Sequence, residues 1–239
     1  MKLDTELIKN YKPNCAISSE LLKDSQEYRV LATIRYLFPF EFDEMIPDES
    51  PDLQDRKNDI GIEVTVATSQ KDMEASRVFA EYKAGSRSEE NFNKIIKRNG
   101  YEIEDSYING AKIISKSGKL ECEKCVFEKA IENKLKKLPD YRKKFNKVGL
   151  AILLTEIPTS DLENSIVDKI SELNNNNNNE DFFDFIFIIS NRFCLRYDIK
   201  TNKIVKYSLT AQESDSLKII GRLSAEKTID LSNIEYTGH

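Results

Sequence analysis

The chain has 239 residues, 36 Lys and Arg against 41 Asp and Glu, and a formal charge of −5. Its 39% of hydrophobic residues can build a core, which excludes wholesale disorder. The most apolar run, residues 182–189, is interrupted by Asp184 and falls far short of the ~18 residues a spanning helix needs.

The first residues, MKLDTELIKNYK, have no apolar centre and do not read as a signal peptide. Cys15, Cys122, Cys125 and Cys194 then read as reduced thiols, and the expected compartment is the cytoplasm. Residues 1–17 read as an irregular arm, broken by Pro13 and Asn14. A helix is predicted from Ser18 or Ser19, either of which can cap it, to Phe38, with Pro39 ending it. Leu21, Tyr28, Leu31, Ile34 or Arg35, and Phe38 give its apolar stripe. An acidic loop over 40–50 leads to a short strand near Leu53 and a polar turn from Asp55 to Asp59. A strong strand follows over 60–67. There Ile60, Ile62, Val64 and Val66 alternate with Gly61, Glu63, Thr65 and Ala67.

A helix capped by Thr68 or Ser69 follows, and then another ended by Asn99-Gly100. Turn signals at Asn109-Gly110 and Ser117-Gly118 mark a hairpin insertion over 100–122. Phe127, Ile131, Leu135 and Leu138 predict an amphipathic helix stopped by Pro139. Strands over 148–154 and 182–189 flank a helix over 160–173. The asparagine-rich segment 174–180 between them reads as a flexible connector. Residues 193–197 and 203–209 read as a hairpin, and 211–239 as a tail. The expected fold is α/β, a central mixed β-sheet flanked by helices, in a single domain over 18–210.

The single histidine is His239, so histidine-based triads and zinc sites are excluded. Any catalysis draws on carboxylates, lysines and a hard metal ion. Asp52 at the mouth of one hairpin strand and Glu63 inside the other can converge, and converging carboxylates take Mg²⁺ or Mn²⁺ through oxygen. Cys122-Glu123-Lys124-Cys125 is a lone CxxC whose further ligands are scattered, so it reads as two incidental thiols. No phosphate-binding glycine loop occurs. Residues 123–147 carry nine basic residues against four acidic, whereas 39–63 carry nine acidic against two basic. A cationic strip beside an acidic pole suits nucleic acid, with Lys136, Lys137, Arg142, Lys143 and Lys144 as candidate phosphate contacts. Tyr141 and Phe145 within the strip either meet sugars and bases or pack a loop on the core.

Pro51-Asp52 followed by Glu63-Val64-Thr65 resembles the PD-(D/E)XK nuclease superfamily, in a "GIEVT" variant with Thr65 at the lysine position. The resemblance implies a restriction-endonuclease-like core over roughly 19–155. It also implies a metal held by Asp52, Glu63 and the Val64 carbonyl, and phosphodiester hydrolysis, most simply of DNA, in restriction or phage defence. A helix glutamate that orients water or a second ion would be Glu27, or else Glu20. A lysine moved from position 65 would be Lys71, Lys83, Lys134 or Lys137, with Lys134 placed by Ile131 and Leu135. Homodimers are common in that superfamily and are implied on the same ground. With Thr65 in place of lysine, the same fold can alternatively serve as an inactive module that binds nucleic acid or protein.

Overall fold

The computed structural model describes residues 11, 18–83, 85–105, 112–116, 123–154, 160–176 and 182–234. They fall into two compact units. One covers Met1–Tyr11, Ser19–Ala67 and Phe127–His239, the other Lys12–Ser18 and Thr68–Val126.

The first unit is built on a seven-stranded mixed sheet of order β1-β2-β3-β6-β7-β8-β9. The strands are β1 (Ile46–Pro47), β2 (Leu53–Asp55), β3 (Ile60–Ala67), β6 (Lys147–Leu154), β7 (Phe185–Ile189), β8 (Phe193–Asp198) and β9 (Lys203–Ser208). β3, β6 and β7 run parallel, and every other pairing is antiparallel. Parallel neighbours need crossovers that cover the sheet faces, so the central strands are buried on both sides and read as continuous apolar runs. Leu150, Ile152, Ile186 and Ile188 face one core, and Ala151, Leu153, Phe185 and Phe187 the other.

Helices α1 (Ser19–Leu37) and α7 (Ala211–Ala225) supply Val30, Leu31, Ile34, Leu217 and Ile220 to the core that Ile60, Ile62 and Val64 join. The opposite core takes Phe127 and Ile131 from α4 (Glu123–Leu135), and Leu138 and Tyr141 from α5 (Leu138–Arg142). Ile166 and Ile170 come from α6 (Ser160–Asn176). The layers are therefore helix, sheet, helix. The expected α/β class with a mixed sheet flanked by helices is what the first unit has.

The second unit holds α2 (Gln70–Lys83), α3 (Glu89–Arg98) and the antiparallel pair β4 (Tyr101–Asp105) and β5 (Lys112–Lys116). Ala75, Val78, Phe92 and Ile96 form its own small core, with Tyr82 stacked on Phe92 at 4.3 Å. The Asn109-Gly110 and Ser117-Gly118 turns lie outside the described residues.

Three local expectations change. Pro139 does not merely stop a helix. It opens α5 at its first turn, where a missing N–H costs nothing. The asparagines do not all leave the helix either: α6 runs to Asn176, and Asn174 is buried; Asn177–Asn179 fall outside the described residues. Residues after 210 are not a plain tail. Thr210 and Glu213 form a reciprocal capping box that starts α7, and Ser214, Ser216, Gly221 and Ser224 are buried along it. A Cβ on Gly221 would stand 2.6 Å from the Ser25 carbonyl of α1, so only glycine lets the two helices come this close. This second helix also explains why residues 30–37 of α1 are buried all round rather than along one stripe.

Candidate active site

The site starts from the β2–β3 hairpin. Leu53 pairs with Ile62 and Gln54 with Gly61. The ladder ends at the Leu53–Ile62 pair, and beyond it the Val64 N–H donates to Asp52 Oδ2 at 2.8 Å. A strand residue's N–H and C=O point to the same edge, so the Val64 carbonyl also faces the Asp52 side.

The approach to Asp52 is clamped. Gln54 Nε2 donates to the carbonyls of Glu49 (3.0 Å) and Pro51 (3.2 Å), and Lys144 Nζ donates to the Ser50 carbonyl at 2.9 Å. A Cβ on Gly61 would meet Pro51 Cγ at 2.6 Å, so glycine lets the Pro51-Asp52 turn lie flat on β3.

Glu63 is only 2% exposed, so it is no solvated strand residue. Its Oε1 accepts a hydrogen bond from the Lys134 ammonium of α4, and Lys137 Nζ lies 3.7 Å from the same oxygen. The Lys134 side chain is 21% exposed, so it is largely covered where its head reaches the carboxylate. Thr65, two residues along on the Glu63 face, is half-buried. From α1, Lys23 Nζ lies 3.0 Å from Glu27 Oε1 and 3.7 Å from Asp52 Oδ1. Its contact with Glu27 is oblique, so the buried Glu27 Oε1 is left without a well-formed hydrogen bond. Lys23 is thus a cation between two carboxylates, on a side chain that is 67% exposed.

The carboxylates feel one another. Burial, then the Asp52 charge, pushes Glu27 up to about 7, against the pull of Lys23. Burial, then Glu63, raises Asp52; the Val64 N–H, Lys134 and Lys23 oppose this. On α5, burial and then the Glu63 carboxylate raise the Tyr141 hydroxyl above its usual range. Among the described residues its buried oxygen makes no well-formed hydrogen bond, although it lies close enough to Glu63 to feel that carboxylate.

The raised Glu27 has a consequence for stability. The folded protein keeps a proton there that the unfolded chain has lost. The resulting stabilisation is full below the ordinary 4.5 and disappears as the pH climbs to about 7. Glu27→Gln should therefore gain stability relative to the wild type across that window, and the gap should level off above it. Urea titrations at pH 5, 6, 7 and 8 measure this; a gap independent of pH would refute it.

The structure thus brings Glu27, Asp52, Glu63, Val64 and Lys134 together, with Lys137 at the margin. The other predicted cations differ. Arg142 is committed to structure: it pairs with Asp184, whose Oδ2 also takes the Val148 N–H, and it donates to the Phe182 carbonyl at 2.7 Å. It is therefore not a free phosphate contact, because the start of β6 and β7 uses its donors. Lys143 pairs with Asp140 at 2.6 Å and Lys136 donates to Asn133 at 3.2 Å; both are exposed. Tyr141 and Phe145 are buried in the core beneath the sheet, which excludes base contacts. Lys71 is exposed on α2 of the second unit, and the Lys83 side chain lies outside the described residues. Cys194 is fully buried and its thiol is pushed up to about 12, so it is a core residue. The other three cysteine side chains and His239 lie outside the described residues. Sequence reasoning missed Lys23, although its i, i+4 spacing from Glu27 was a usable signal.

Among the described residues no three His, Cys, Asp or Glu side chains form a ready cage for a metal. A magnesium ion needs less, since it keeps several waters and uses one or two carboxylates. The carboxylate and carbonyl oxygens here are the donor type a hard divalent cation would take, and burial and neighbouring charge raise both Glu27 and Asp52. Among the described residues no helix is long and apolar enough to cross a membrane. Comparison with family models, curated proteins and solved structures finds no match to this chain.

Proposed function

We propose that this chain is a divergent PD-(D/E)XK-type phosphodiester hydrolase that cuts nucleic acid, DNA foremost, with Mg²⁺ or Mn²⁺. The observation that carries the reading is the Lys134 ammonium on the Glu63 carboxylate, beside Asp52. It supplies from α4 the positive charge that Thr65 does not carry.

Asp52, Glu63 and the Val64 carbonyl would hold the ion. When bound, the ion acidifies water and offsets charge on a phosphate oxygen. Lys134 holds Glu63 before the ion binds and brings a cation to the place where phosphate charge develops. Glu27, with its affinity for a proton raised toward neutrality, accepts the proton of the attacking water. Lys23 and Lys137, both exposed, face the nucleic-acid backbone.

The test is nicking of supercoiled plasmid by the purified chain. Cleavage should need Mg²⁺ or Mn²⁺, stop with EDTA and vanish in Asp52→Asn. Tight retention of the plasmid without cleavage, unchanged by metal, would instead favour a binding module on the same scaffold.

A further inference from the structure

Tyr141 is 2% exposed, yet its hydroxyl makes no well-formed hydrogen bond among the described residues. Buried polar groups are nearly always paired, and an unpaired one costs free energy that phenylalanine would avoid in the same space. A group kept at such a cost calls for an explanation. α5 packs on the sheet face that carries Glu63, and the Glu63 and Asp52 carboxylates are the charges with the strongest effect on the hydroxyl. In the resting arrangement Glu63 Oε1 is held by Lys134, and the hydroxyl lies within reach of the Glu63 carboxylate without a well-formed hydrogen bond to it.

We infer that Tyr141 is a positioning residue for Glu63: its O–H donates to the Glu63 carboxylate once a divalent cation draws that carboxylate away from Lys134. This rests on the metal-dependent hydrolase reading. The cation competes with the ammonium for Glu63. As Lys134 turns toward phosphate, Glu63 loses its only well-formed hydrogen bond among the described contacts. The Tyr141 hydroxyl then replaces that donor. It fixes which carboxylate oxygen faces the ion, as outer partners of metal ligands generally do. Tyrosine suits this role because its hydroxyl carries a proton to donate to a carboxylate.

Tyr141→Phe in the full chain removes the oxygen and little else. Three readings decide the matter: the thermal midpoint, the Mn²⁺ affinity by titration calorimetry, and kcat with KM on a plasmid substrate. The midpoint should stay level or rise, since no well-formed hydrogen bond is lost in the metal-free protein. The Mn²⁺ affinity should weaken by about ten- to a hundredfold, and kcat should fall while KM holds. Mn²⁺ affinity and kcat within twofold of the wild type would overturn the inference. So would a lowered midpoint with unchanged Mn²⁺ affinity, which marks a packing role. If the wild type itself takes up no Mn²⁺ that Asp52→Asn abolishes, the hydrolase reading fails first, and that result is distinct from either of the others.

Discussion

Glu63→Gln should lower metal-dependent cleavage by at least about a thousandfold while the fold survives. The substitution keeps the shape of the side chain and leaves an amide oxygen to accept from Lys134, but it removes the charge that a divalent ion needs. Stability and activity separate further with other changes at the pair. Lys134→Met leaves Glu63, whose side chain is 3% exposed, with the more distant Lys137 at 3.7 Å, whereas Glu63→Ala strands Lys134, whose side chain is 21% exposed and still reaches water. Breaking a buried pair from the side that leaves the drier charge costs about 3–5 kcal/mol, and less when the survivor is hydrated. Urea denaturation should therefore rank Lys134→Met below Glu63→Ala in stability, with Glu63→Gln the mildest. The combined Glu63→Gln/Lys134→Met protein should recover most of the loss, because no charge is left buried. Plasmid cleavage by Glu63→Gln within tenfold of the wild type would remove Glu63 from the chemistry.

The hairpin that carries Glu63 was legible because its signals are local. Ile60, Ile62, Val64 and Val66 alternate with the Glu63 set, and the polar turn from Asp55 to Asp59 fixes which residues oppose each other; the structure has strands at Leu53–Asp55 and Ile60–Ala67. The burial of Glu63 was not legible. It depends on α4 and α5 covering its face of the sheet, and an apolar stripe such as Phe127, Ile131 and Leu135 does not say which face it will cover. Lys134 stood among four candidates for the same reason: its contact with Glu63 spans 71 positions, and only the crossover from β3 to β6 decides which helix lysine arrives. α7 was missed although its start was written in the chain. Thr210 and Glu213 have capping-box spacing, but the buried serines and Gly221 that follow look polar until a second helix presses against them. Arg142 misled in the opposite sense. Its charge belongs to a run of lysines, while its planar fork is taken by Asp184 and a carbonyl.

A charge exchange between positions 65 and 134 probes the relocated cation most directly. Lys134→Met should lower kcat by about a hundred- to a thousandfold, the usual cost of one fixed donor to developing oxyanion charge. Thr65→Lys in that background should restore a large part of it. Position 65 lies two residues beyond Glu63, on the same face of β3, and is half-buried, so a lysine there starts from the carboxylate's own face and its stem is long enough for the ammonium to reach it. Thr65→Lys with Lys134 left in place should not raise activity. Two ammonium groups would then share one carboxylate, with Lys137 already 3.7 Å away, and their repulsion would weaken cation binding. Single-turnover cleavage of a labelled duplex measures the chemical step for all three proteins, and calorimetry with Mn²⁺ separates lost chemistry from lost metal. Rescue that appears in kcat with Mn²⁺ affinity unchanged assigns the ammonium to the phosphate. A Lys134→Met protein that cleaves at the wild-type rate leaves it as a structural counter-ion for Glu63 and nothing more.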